Sequence, residues 1–264
     1  MFSRFPSILA VILFVTSLAS AHQDPMGDVH PEVRVEKGNF AIYFRSNDER
    51  TGVEDPPQLR MVYSPEGKLL SPRHYAPKDV REIDKQRSSA GRINESDGKP
   101  SYTLTVQGRE EQHRLPWPEG VRISILHGSI LGEHAVILAA KTGSDSLSFY
   151  HYSRDHFRLP SVVAIGSPVK IYDFPIASNI VYAGERYWIA WVRAKENQLG
   201  FESILTSWRP GDVRASEIVL EGPADWNEHL SMQAHGNVLC LAYHCSINGA
   251  YPGRSRIITV FHRF

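Results

Sequence analysis

Tyr187-Trp188-Ile189-Ala190-Trp191-Val192 is aromatic or aliphatic at every position. The run returns as Val238-Leu239-Cys240-Leu241-Ala242-Tyr243 and stands one repeat earlier as Val136-Ile137-Leu138-Ala139-Ala140. Each copy follows a small turn, Gly184-Glu185, Gly236-Asn237 or Gly132-Glu133. The turn-plus-strand unit recurs at roughly fifty residues, a period that points to propeller blades. Apolar residues at consecutive positions suit a sheet buried on both faces by neighbouring blades, and do not suit the one-sided sheet of a sandwich.

Outward from this strand, the unit Ser178 to Leu220 reads as four antiparallel strands joined by tight turns, one blade. Its inner strand lies near Asn179-Ile180-Val181-Tyr182, and its third and fourth strands flank the turn Arg209-Pro210-Gly211-Asp212. The last unit runs from His229 to Phe264 and ends after three strands. An earlier one begins at Ile123, and the first runs from Glu32 through Gly67. Between the first unit and Val121 the pattern degrades: Pro77 to Pro100 is charged and reads as a loop or short helix, with Tyr102 to Val106 the one clear strand. The expectation is an all-β, five-bladed propeller with an irregular second blade. Four blades plus a hairpin is the alternative. Trp188, Trp191, Trp208 and Trp226 are expected to pack between blades.

Residues 1–21 carry Arg4, an apolar core from Ile8 to Val15 and Ala19-Ser20-Ala21, the pattern of a cleaved secretory signal. The expectation is export to a secreted or periplasmic location, with one domain over residues 22–264. No second apolar stretch suggests a membrane span. Lys plus Arg and Asp plus Glu each number 29, so bulk charge offers nothing to nucleic acid or anionic lipid. The domain is expected to act as a monomer on a small polar ligand or glycan. Cys240 and Cys245 are separated by an odd interval, which puts them on opposite faces of one extended strand and leaves a disulfide dependent on a turn between them.

Tyr63-Ser64-Pro65-Glu66-Gly67 and Tyr152-Ser153-Arg154-Asp155-His156-Phe157 resemble the Asp-box turn of sialidase-like propellers. Glu66 replaces the aspartate in the first, and Phe157 and Pro160 replace glycine and tryptophan in the second. Those turns imply fold and not activity. The arginine triad and tyrosine nucleophile of a sialidase have no motif here. Asp28-Val29-His30-Pro31-Glu32-Val33, leading into Gly38-Asn39-Phe40-Ala41-Ile42-Tyr43, is similar to the opening strand of five-bladed arabinanase- and xylosidase-like propellers. That resemblance implies a general-base Asp at Asp28, although proline does not follow it directly.

In a propeller the starts of the inner strands and the loops after second strands share one face beside the axis. This gathers Asp28, His30, Glu32, Arg122, Asn179, Trp226, Asn227, Glu228 and His229, and from a loop Tyr251. Carboxylates, imidazoles and aromatic rings together suit a sugar or other polar ligand. Asp28 and Glu228 belong to the first and last blades, neighbours in a closed ring, and as a pair would serve glycoside hydrolysis. His30, His229 and Asp28 form an alternative metal set, and a mature terminus at His22 an alternative copper site. No cofactor is expected. Three functions therefore stand: carbohydrate binding, glycoside hydrolysis, and a protein-interaction scaffold.

Overall fold

The computed structural model describes residues 28–46, 58–76, 92–96, 99–106, 109–131, 134–141, 146–153, 159–168, 170–171, 174–195, 201–220, 226–246 and 255–264. The expected signal peptide, His22, Tyr251 and residues 77–91 lie outside them. The described elements are all strands, and they form five blades in chain order. Blade 1 is β1 (Asp28–Glu36), β2 (Asn39–Ser46), β3 (Gln58–Tyr63) and β4 (Leu69–Tyr75). Blade 2 has three strands, β5 (Arg92–Ser96), β6 (Lys99–Val106) and β7 (Arg109–Arg114). Blade 3 is β8 (Ile123–Leu131), β9 (His134–Lys141), β10 (Leu147–Tyr152) and β11 (Ser161–Gly166). A small pair, β12 (Lys170–Ile171) and β13 (Phe174–Pro175), leads to blade 4. That blade is β14 (Val181–Ala183), β15 (Arg186–Ala194), β16 (Phe201–Trp208) and β17 (Ser216–Leu220). Blade 5 closes the chain with β18 (Trp226–His235), β19 (Val238–Ser246) and β20 (Ser255–Arg263).

All pairings within blades are antiparallel, as expected. One correction concerns the stretch 77–100. β5 and the start of β6 fall inside it, where the sequence suggested a loop or short helix. Ser96 pairs with Lys99, so two residues, Asp97-Gly98, connect the strands. Asp-Gly is a hairpin sequence, and it outweighs the polar composition of the flanks.

The consecutive apolar runs are explained by alternation. Tyr187, Ile189 and Trp191 of β15 pack with Val136, Leu138 and Phe149 of blade 3. Trp188, Ala190 and Val192, between them in sequence, pack with Met232, Leu239 and Leu241 of blade 5. Val238, Cys240 and Ala242 on the other face of β19 meet Phe40, Ile42 and Phe44 of blade 1, which closes the ring. β15 and β19 are thus each a wall shared by two seams. Cys240 faces blade 1 and Cys245 faces blade 4; both are buried and neither is in a disulfide, and burial pushes the Cys240 thiol well up.

Trp191 and Trp208 are almost wholly buried, and Trp188 nearly so, as expected of wedges between blades. The Trp191 indole N–H donates to Thr206 Oγ1 at 2.8 Å, so the polar edge of the ring is satisfied inside the wall. The Trp226 side chain is not among those described.

Candidate functional site

Four inner strands carry an irregularity, at one level in blades 1, 3 and 5 and slightly nearer the hairpin in blade 4. In blade 1 Val29 faces Arg45 and Glu32 faces Tyr43, so His30 and Pro31 together stand opposite Phe44. Glu228 faces His244 and Ser231 faces Ala242 in blade 5, which leaves His229 and Leu230 opposite Tyr243. In blade 3 Ile125 faces Ala139 while His127 faces Leu138, and Leu126 is the extra residue. For blade 4, Ala177 bridges Trp191 and Val181 faces Trp188, so Ser178, Asn179 and Ile180 answer Ile189 and Ala190. Four inner strands therefore each carry one more residue than the strand beside them. The described pairing of β5 with β6 carries none.

The free edge of each inner strand leaves backbone groups without ladder partners, and side chains of the preceding blade supply several of them. The Ile180 N–H donates to Nδ1 of His127 at 3.3 Å. Met232 is held twice: its N–H donates to Asn179 Oδ1 at 2.9 Å, and its carbonyl accepts from Asn179 Nδ2 at 2.8 Å. The Val33 N–H donates to Ser231 Oγ at 3.0 Å, and this last bond joins blade 5 to blade 1. Within blade 4, Ser178 Oγ accepts the Ala190 N–H at 2.9 Å. Blades 3, 4, 5 and 1 are thus stitched in order, each side chain reaching the backbone of the next inner strand. Burial holds the His127 imidazole below the ordinary histidine range, which keeps Nδ1 an acceptor.

The chain on the N-terminal side of these bulges forms one end of the axis. There the backbone places Asp28, Val29 and His30 of β1, Trp226 to His229 of β18, and exposed Arg122 just before β8. β1 lies alongside β18, so His30 and His229 occupy equivalent bulge positions on adjacent blades. His229 has φ +49, a conformation that few non-glycine residues adopt. Its exposed ring lies at 19° to that of buried His244, with centroids 6.2 Å apart. Sequence reasoning missed His244, because it sits within an apolar run.

Asp28 and Glu228 reach the same end, one residue out of step. Asp28 precedes its bulge by two residues and Glu228 precedes its own by one. Asn227 therefore stands where Asp28 does. The side chains of Asp28, His30, Trp226, Asn227 and Glu228 are not among those described, and neither is Tyr251. Asn179 sits at the level of the stitches, with its carboxamide on Met232. Glu32 lies just past the bulge, and its carboxylate accepts from Arg34 Nε and a terminal nitrogen at 2.8 and 2.9 Å. Among the described residues no group of three His, Cys, Asp or Glu side chains is placed to hold a metal.

Arg34 belongs to a second polar group, also missed from sequence. The guanidinium of this buried residue lies 4.6 Å from the centre of the Tyr43 ring, and Arg60 lies over the same ring at 5.7 Å. Glu36 accepts from both the Tyr43 hydroxyl and Arg60. Burial first, then the bond to Glu36 and its charge, push the Tyr43 hydroxyl up to about 12. Tyr43 is 1% exposed, so this group fixes the face of blade 1 turned away from blade 5 and does not present a nucleophile.

No protein-family model and no curated protein matches the chain. Among solved structures, it is similar to a protein of unknown function from Dyadobacter fermentans, with 10% identity, 92% of this chain and 97% of that one covered, and a TM-score of 0.50. A thermostable family-43 glycoside hydrolase matches at 11% identity and TM-score 0.41, covering 92% of this chain and 93% of its own. A GH43_1 enzyme from Xanthomonas citri matches at 14% identity and TM-score 0.39, covering 90% of each. Likeness at these identities is one of strand arrangement and says nothing of chemistry.

Proposed function

We propose that the protein is exported and binds a carbohydrate at the end of the propeller axis where the bulged inner strands converge. The observation that carries this is the recurrence of one extra residue in four inner strands, at one level in blades 1, 3 and 5 and slightly nearer the hairpin in blade 4. Bulges re-aim side chains and are enriched beside binding sites; their recurrence in four blades distinguishes this end of the axis from the other. The residues they carry to that end, Asp28, His30, Arg122, Trp226, Asn227, Glu228 and His229, combine charged donors and acceptors with an aromatic ring. Sugars, with hydroxyl rims and apolar faces, suit such a lining.

Hydrolysis by Asp28 and Glu228 is the second reading. The two stand one residue out of step on their strands, with Asn227 at the position equivalent to Asp28, and this favours binding over hydrolysis. A glycan array followed by a panel of chromogenic glycosides separates the readings. Binding without turnover is the expected result. Turnover abolished by Asp28→Asn or Glu228→Gln in a folded protein would replace binding with hydrolysis. An array with no bound glycan would refute the carbohydrate assignment.

A further inference from the structure

Every blade ends in an outer strand, and four of the five carry a guard against pairing with another chain. β4 contains Pro72 and two shifts of register; β11 has one shift, and β17 is five residues long. β7 reads Arg-Glu-Glu-Gln-His-Arg, polar or charged throughout. β20 has none of these. It pairs with β19 without a break from Val238 opposite Arg263 to Ser246 opposite Ser255, and holds no proline and no acidic residue. Among the described residues no strand pairs with its other edge. Ile258, Thr259, Val260 and Phe261 are half-buried, whereas the matching strand β16, covered by β17, is buried from Ser203 to Trp208.

We propose that β20 is a dimer interface, two copies of this chain joining edge to edge in antiparallel fashion about a two-fold axis at Thr259. A two-fold contact must be complementary to itself. The strand meets that condition, since Arg256-Ile257-Ile258-Thr259-Val260-Phe261-His262 has the same character in either direction. Ile258 of one copy stands opposite Val260 of the other, Ile257 opposite Phe261, and Arg256 opposite His262. Burial holds the His262 imidazole below the ordinary histidine range, so at neutral pH no second cation faces Arg256. The dimer would replace the single-chain state expected from sequence and join the two three-stranded sheets into one of six strands.

Light scattering coupled to gel filtration, with hydrogen exchange of the wild-type protein at two concentrations, tests this. The expected results are twice the single-chain mass and slower exchange at Ile257 to Phe261 at the higher concentration. Val260→Lys is expected to give the single-chain mass with an unchanged circular dichroism spectrum. A single-chain mass for the wild type at the highest concentration reached would overturn the proposal. A dimer whose concentration-dependent protection falls outside β20 would do the same, and that measurement stands even if the variant fails to fold.

Discussion

At Gly166 a Cβ would stand 2.4 Å from Cη2 of Trp191, closer than any real contact, and the atom met is part of a rigid indole packed in the wall between blades 3 and 4. Gly166→Ala is therefore expected to cost about 1 to 3 kcal/mol through overpacking. Trp191→Ala, which empties the same place, is expected to cost about 3 to 5 kcal/mol. Urea denaturation of both variants checks this; if Gly166→Ala matched wild type, the indole would not be confined as described. Tyr43 supplies a test of charge. With its hydroxyl at about 12 in the folded protein against 10.0 ordinarily, its contribution is complete below pH 10 and is lost as pH rises toward 12. Tyr43→Phe should flatten the loss of stability across that window, read from urea midpoints at successive pH values.

Among elements, the inner strands carry the informative departures from regularity. Asn179→Ala removes both bonds to Met232 and is expected to cost about 1 to 3 kcal/mol, measured by denaturant unfolding. Restoration of stability in the variant to the wild-type value would show the stitch to be idle. His127, held below the ordinary 6.5, favours the folded state above that pH, and its contribution falls as pH drops through the folded value. His127→Asn should lessen the acid loss of stability as pH falls below 6.5, read from urea midpoints at successive pH values. The central strands were legible because burial on both faces writes an uninterrupted apolar run, and because Gly38, Gly184 and Gly236 hold positive φ in the turns before them. The bulges were not. An extra residue in one strand leaves no mark in composition, and His229 at φ +49 looks in sequence like any histidine. The charged face of blade 1 was written in the alternation Glu32-Val33-Arg34-Val35-Glu36, but its meaning depends on Tyr43 and Arg60, which only the sheet brings opposite.

For the whole molecule, the ring closes by packing supplemented by the Ser231 stitch. No strand is exchanged between the first and last blades among the described residues; the join is the apolar seam of Phe40, Ile42 and Phe44 with Val238, Cys240 and Ala242, plus the Ser231 bond to Val33. The five-blade count followed from a period of about fifty residues. In blade 2 only the strand from Tyr102 to Val106 was legible, because β5 and β7 are short and polar, with the Asp97-Gly98 connection as the overlooked signal. Site chemistry was legible only as a list of residues at one end of the axis, since which of them converge depends on register, and register on the bulges. The most direct test of the axial site is calorimetric titration of a glycan identified on the array against the wild type, Asp28→Asn, Glu228→Gln and His229→Ala. Measurable binding by the wild type is expected, weakened about tenfold or more in His229→Ala, where a loss of roughly 1.4 kcal/mol corresponds to tenfold. Equal affinity in the wild type and all three folded variants would contradict the axial site, placing the glycan elsewhere on the propeller.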